Sequence, residues 1–212
     1  MATALKTRRI ALGITGASGA IYGRRVLEEL LLRPEIEVHL AISPSAQKVM
    51  RLEDGLDIDL KKFSLSSLRL KSPAAGKLVY HQHDDVGAPI ASGSFRVEAM
   101  VVAPCSMGCA GAIAHGLSDN LIERAADVML KERRTLIVVP RETPYSTAHL
   151  RNLLTLSELG ATVLPASPGF YGKPQSVADM VNFIVARVLD HLHIENDLAK
   201  RWNGMTHVTN DE

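Results

Sequence analysis

The stretch GITGASGAIYG, Gly13 to Gly23, follows directly on the apolar run that begins at Arg9. An apolar segment, a glycine turn with a hydroxyl in it, and a segment that buries Ile21, Val26, Leu27, Leu30 and Leu31 at helical spacing together predict strand, tight loop and helix. The strand is expected over Arg9 to Ile14 and the helix over Ala20 to Leu32, with Pro34 ending it. Unpaired N–H groups at such a turn favour an anion. The spacing GxxGxxG departs from the dinucleotide fingerprint, the next strand ends on Ser43 where a ribose-binding acid would stand, and no GK[ST] follows. Of the nucleotides, a mononucleotide such as FMN therefore fits better than NAD or ATP. The plainer alternative is a turn that uses glycine only for packing.

The same alternation continues outward from this unit. VHLAI (Val38 to Ile42) predicts a strand and SAQKVMRLE a helix. Asp54 to Lys77 reads as a surface excursion with a short helix, and LVYH (Leu78 to His81) as a brief strand before the loop DDVGAPIASGS. AMVVAP (Ala99 to Pro104), TLIVVP and ATVLPA read as further strands. Ser106 to His115, Asn120 to Lys131, Ser146 to Leu159 and Ser176 to Leu192 read as helices. Short apolar strands separated by amphipathic helices imply an α/β fold, a three-layer, doubly wound sandwich with a mostly parallel sheet of the flavodoxin/Rossmann kind. Ligands then gather beyond the carboxyl ends of the strands.

Composition narrows the class. A chain of 212 residues, 46% hydrophobic, suits a single domain, 1–212, with an aperiodic C-terminal arm from about residue 194. That arm carries the lone tryptophan, Trp202, and reads as a loose tail, a lid, or a packing element against a neighbouring subunit. The balance of 24 Lys+Arg against 23 Asp+Glu offers little long-range attraction to nucleic acid or acidic lipid. No apolar run reaches the ~20 residues of a membrane span, and MATALKTRR is too short and charged for a secretory leader, so a cytoplasmic protein without membrane insertion is expected. Cys105 and Cys109 read as two thiols in or near a helix, since no His/Cys cluster completes a metal site.

Several strand-end loops suit phosphate. ASGSFR supplies Ser92, Ser94 and Arg96, and PCSMG supplies Ser106 at a helix start. Lys131, Arg133 and Arg134 precede TLIVVP and read equally as a solvated helix end. Arg141 and Glu142 follow that strand, where arginine clamps phosphate and a carboxylate orients it or accepts a proton; a structural ion pair is the alternative. SPGFYGKPQS holds Tyr171 in a rigid loop, as aromatic wall or as simple cover, and Arg187 lies on the next helix.

Taken in order, GITGASGAIYG, ASGSFR, PCSMG, DNLIERAADVMLKERR, VVPRETPYS and PGFYGKPQS resemble the UbiX family of flavin prenyltransferases, from about Ile10 to Trp202. The resemblance implies transfer of a dimethylallyl group from dimethylallyl monophosphate to N5 and C6 of reduced FMN, without a metal. It also implies a homo-oligomer, typically a dodecamer, and delivery of prenylated FMN to UbiD-type decarboxylases, as in ubiquinone synthesis or aromatic acid breakdown.

By the same resemblance Gly16, Ala17, Ser18, Ser43, Ser92, Ser106, Met107 and Arg124 contact the flavin. Ser18 lies near N5 and Ser43 at the phosphate. Glu53 is implied as an acid/base group. Lys131, Arg141, Tyr171 and Arg187 hold the departing phosphate, Glu142 protonates it, and Trp202 borders the prenyl cavity. Pro44, Met107 and Cys109 depart from the usual pattern. The related flavin-dependent cysteine decarboxylases share the general fold, but the basic cluster and PGFYGKPQS point away from them. Direct FMN-dependent decarboxylation of an aromatic acid, and flavin binding without catalysis, are the competing functions.

Overall fold

The computed structural model describes residues 7–202 and Gly204. The described residues form six strands and six α-helices, in chain order β1 (Arg8–Ile14), α1 (Ala20–Leu31), β2 (Ile36–Ile42), α2 (Pro44–Asp54), β3 (Lys77–His81), β4 (Ala99–Cys105), α3 (Met107–Ala114), α4 (Leu121–Lys131), β5 (Thr135–Pro140), α5 (Thr147–Glu158), β6 (Thr162–Val163) and α6 (Val177–His191). All five strand pairings are parallel, in the order β3-β2-β1-β4-β5-β6. That order belongs to the Rossmann type of doubly wound sheet and places its switch point between β1 and β4.

Side chains that alternate along the strands divide the interior in two. Ile10, Leu12, Val38, Leu40, Val101 and Ile137 pack under α1, α2 and α6. Ala11, Ala41, Met100, Val102, Leu136 and Val138 pack under α3, α4 and α5. Both faces of the sheet are thus covered, as continuous apolar strands require.

β2 begins at Ile36 rather than Val38, because Ile36 and Glu37 still pair with Arg8 and Arg9. ATVLPA contributes a strand of only two residues; Leu164 and Ala166 continue the ladder by donating to the Val138 and Pro140 carbonyls, but Pro165 between them has no N–H to give. The 54–77 excursion contains a 3-10 turn at Leu65–Leu68, and its isolated apolar residues are anchors: Leu56, Ile58 and Leu68 are all buried. Asn203 and the end of the C-terminal arm from residue 205 lie outside the described residues. Its preceding part returns along α6, where Arg201 and Asn196 both hold Asp190.

Candidate active site at the carboxyl edge of the sheet

Three helices begin at the carboxyl edge around the switch point, and each start uses a residue that the sequence singles out. The turn from β1 into α1 needs Gly19, whose φ of 97° is costly for any residue with a Cβ. Gly16 allows close approach: a Cβ there would lie 2.3 Å from Cβ of Ser45 in the first turn of α2. Ser43 caps α2 by accepting from the Ala46 N–H at 3.1 Å, and Ser106 caps α3 by accepting from Cys109 N–H at 3.3 Å.

The β1–α1 loop is gripped from two sides. The Glu53 carboxylate, at the end of α2, accepts from the N–H groups of Gly19 at 2.9 Å and Ala20 at 3.3 Å. It thereby satisfies the start of α1, so an anion bound nearby must use other donors. Arg141, just beyond β5, donates through Nε to the Ser18 carbonyl at 2.9 Å. Ser18 is exposed between these two grips. No backbone carbonyl among the described residues accepts from the N–H groups of Gly16, Ala17 or Ser18. Free amides in a glycine turn, two serine-capped helix starts and an arginine form a donor set suited to a mononucleotide phosphate and its ring, so the residues fit a flavin.

The loop before β4 is held by Arg124 of α4 and by Arg134, which lies between α4 and β5. Arg124 donates to the Ala91 carbonyl at 3.1 Å and pairs with Asp127 at 3.0 Å. Arg134 donates to the carbonyls of Gly93 at 2.6 Å and Phe95 at 3.2 Å. Ser92, exposed, shares a hydrogen bond with Ser94 at 2.9 Å on this tethered segment. Arg134 is thus a loop anchor that sequence reasoning, which grouped it with a basic run, did not identify. Met107, in the first turn of α3, is buried in the apolar cluster that also holds Ile90 and Ala91.

Not every expected partner joins this centre. Lys131 ends α4, just before β5 begins, whereas Arg141 and Glu142 follow the end of β5. Six strand residues at ~3.3 Å each separate the two edges by about 20 Å. Within one chain Lys131 therefore does not reach Arg141; it is exposed beside Glu132, 3.6 Å away. Glu142 turns one oxygen back to the Thr143 N–H at 2.9 Å.

Tyr171, Arg187 and Trp202 do come together, but in a separate cleft of about 260 Å³ against α6. The Tyr171 and Trp202 rings meet edge to face at 5.5 Å, and Arg187 pairs with Asp190 at 2.8 Å. Cys105 and Cys109 are free thiols, and the hydrogen bond that the Cys105 thiol gives to Cys109, together with burial, pushes Cys105 well up. Among the described residues no His/Cys/Asp/Glu cluster suits a metal ion, and no helix is long and apolar enough to cross a membrane.

A doubly wound sheet with this donor set at its switch point is that of an α/β protein that binds a nucleotide phosphate, and the Flavoprotein family model matches residues 2–189. The flavin prenyltransferase UbiX of Pseudomonas aeruginosa is 50% identical over 206 residues, covering 96% of this chain and 98% of that protein. Two solved structures align with a TM-score of 0.81. AnUbiX (PadA1) in complex with FMN and dimethylallyl pyrophosphate is 40% identical, covering 95% of this chain and all of that one. A dodecameric FMN-dependent UbiX-like decarboxylase from Escherichia coli O157:H7 is 41% identical, covering 92% of this chain and all of that one. The chain belongs to the UbiX family of flavin prenyltransferases.

Proposed function

We propose that this protein transfers the dimethylallyl group of dimethylallyl monophosphate to N5 and C6 of reduced FMN, and that UbiD-type decarboxylases receive the prenylated product. The observation that carries this reading is the switch-point cluster, in which Glu53 and Arg141 grip the Ser18 loop beside two serine-capped helix starts. Its occurrence in a chain half identical to a flavin prenyltransferase ties the cluster to that chemistry.

When bound, reduced FMN supplies the nucleophilic nitrogen and carbon that accept the prenyl group. The protein's part is positioning and charge. The free amides of Gly16 to Ser18, together with Ser43, are the natural phosphate donors. Ser18, exposed and fixed through its own carbonyl, offers a hydroxyl to the ring. Ser106, Met107 and Arg124 form the surrounding wall, and Ser92, whose loop is tied to Arg134 at the amino end of β5, is contributed like Lys131 by a neighbouring copy.

Breaking the allylic C–O bond places negative charge on the leaving phosphate, and Arg141 is the cation fixed nearest the Ser18 loop. No described residue donates to the second carboxylate oxygen of Glu142, which leaves it available to hand a proton to phosphate or to take the one lost from C6. Glu53 is committed to helix N–H groups and acts first as an orienting anion.

Assigning Lys131 to the same phosphate as Arg141 requires a second copy of the chain, whereas Tyr171 and Arg187 line their own cleft against α6. Lys131 stands at the opposite edge of its own sheet, so a neighbouring subunit must present it, and the same contact would exclude the water that captures an allylic cation. The dodecameric assembly of a relative 41% identical supports a homo-oligomer here.

The test is anaerobic incubation of the purified protein with reduced FMN and dimethylallyl monophosphate, followed by mass spectrometry of the flavin. A gain of one C5H8 unit is the expected result. Unchanged flavin with verified FMN binding overturns it, and carbon dioxide release from an aromatic acid by the isolated protein would favour direct decarboxylation. Competition by the diphosphate ester measures the preference for the monophosphate.

A further inference from the structure

β1 and β4 are neighbours in the sheet, yet the chain leaves their carboxyl ends in different directions, toward α1 and toward α3. The gap between these exits is bridged by one side chain. Thr15, the first residue after β1, is only 4% exposed. Its hydroxyl donates to the Pro104 carbonyl at 2.8 Å and accepts from the Ser106 N–H at 2.7 Å, while its own N–H donates to Pro104 at 3.2 Å. The partner Ser106 is the cap of α3, so Thr15 links the β1–α1 turn to the residue that starts the next helix.

From this bridge we infer that Thr15 is a positioning residue for the flavin: its hydroxyl sets the spacing between the 15–19 loop and the start of α3. The inference rests on the reading that FMN lies against these two loops. Both a donor and an acceptor are needed, which only a hydroxyl of this size supplies. Valine would fill the same volume but leave the Ser106 N–H without its partner at a buried point, and the loops would separate to let it find water. Serine would keep both hydrogen bonds.

FMN titration of the full chain, read by flavin fluorescence well below the melting temperature, tests this. Thr15→Val is expected to weaken FMN binding about tenfold, and Thr15→Ser to stay within about twofold of the parent. Leu156→Ala, at the buried face of α5, controls for a merely structural effect: it should lower the melting temperature and leave FMN affinity in place. Parent-like affinity in folded Thr15→Val overturns the inference, as does an equal loss in Leu156→Ala. Should Thr15→Val fail to fold, Thr15→Ala replaces it with the same expected direction, and parent-like binding by that variant is equally fatal. Absence of FMN binding by the parent itself removes the flavin reading instead.

Discussion

Two polar regions of this molecule use similar residues to opposite ends. At the switch point Glu53, Arg141 and Thr15 bond to loop backbone and leave Ser18, the nearby amides and part of Glu142 open. Beneath the 82–98 loop, on β1, β2 and β3, polar groups consume one another. Glu37 takes Lys77 at 2.9 Å, Arg9 at 3.1 Å and His39 at 2.9 Å, and His39 passes on to His81 at 2.9 Å. Arg9 lies over the Phe95 ring, whose edge meets His39. A polar group in mid-strand is cut off from water and has to be satisfied by protein, whereas one beyond a strand end is satisfied locally and keeps valences for a ligand.

The difference is sharpest under mutation. Arg141→Met should lower kcat/KM for prenyl transfer about 100-fold, the scale for removing one preorganised group facing developing charge. Its melting temperature should move little, because the side chain is partly exposed and bonds one carbonyl. Steady-state assays beside thermal melts check both, and a parent-like rate would break the contrast.

Glu37→Gln should do the reverse. It removes the charge on which three donors converge and should cost about 2 kcal/mol of stability in denaturant titration. FMN affinity well below the melting transition should change less than in Arg141→Met.

The same network makes stability depend on pH. Against the cost of burial, bonds from Lys77, His39 and Arg9 hold the Glu37 carboxyl down at about 2, so it stays ionised through ordinary acid. Burial lowers His39 despite the Glu37 contact, and lowers His81 with help from His39, despite Asp85. Folded neutral imidazoles against unfolded ones near 6.5 mean that the unfolded state binds more protons. Stability is fully present above pH ~6.5 and declines as pH falls toward the depressed folded values. Thermal melts between pH 8 and 5.5 should show the fall, and His81→Gln should flatten it; a flat parent profile would break the assignment.

The smallest structural effect belongs to the far edge of the sheet. Lys131→Ala should leave stability within about 0.5 kcal/mol, as an exposed cation 3.6 Å from Glu132 contributes little. Prenyl transfer should nevertheless fall, with the KM for the phosphate ester rising, if a neighbouring copy brings this lysine to the site. Unchanged kinetics would separate Lys131 from the phosphate and sharpen the comparison to a single edge.

Much of this was legible in the chain itself. The apolar run before GITGASG and the regular return of strand and helix patterns, with helices opening at Ser106, Ser146 and Ser176, determine the doubly wound α/β sheet, because local propensity and burial periodicity agree there. The motifs also determine the family. The tertiary structure alone decided which of those residues meet. Glu53 at the α1 start, Arg134 on the Gly93 and Phe95 carbonyls and Thr15 between two loops all depend on contacts separated by tens of residues. The place of Lys131 follows from strand direction: residues on either side of β5 are close in sequence, yet an extended strand carries them to opposite edges of the molecule.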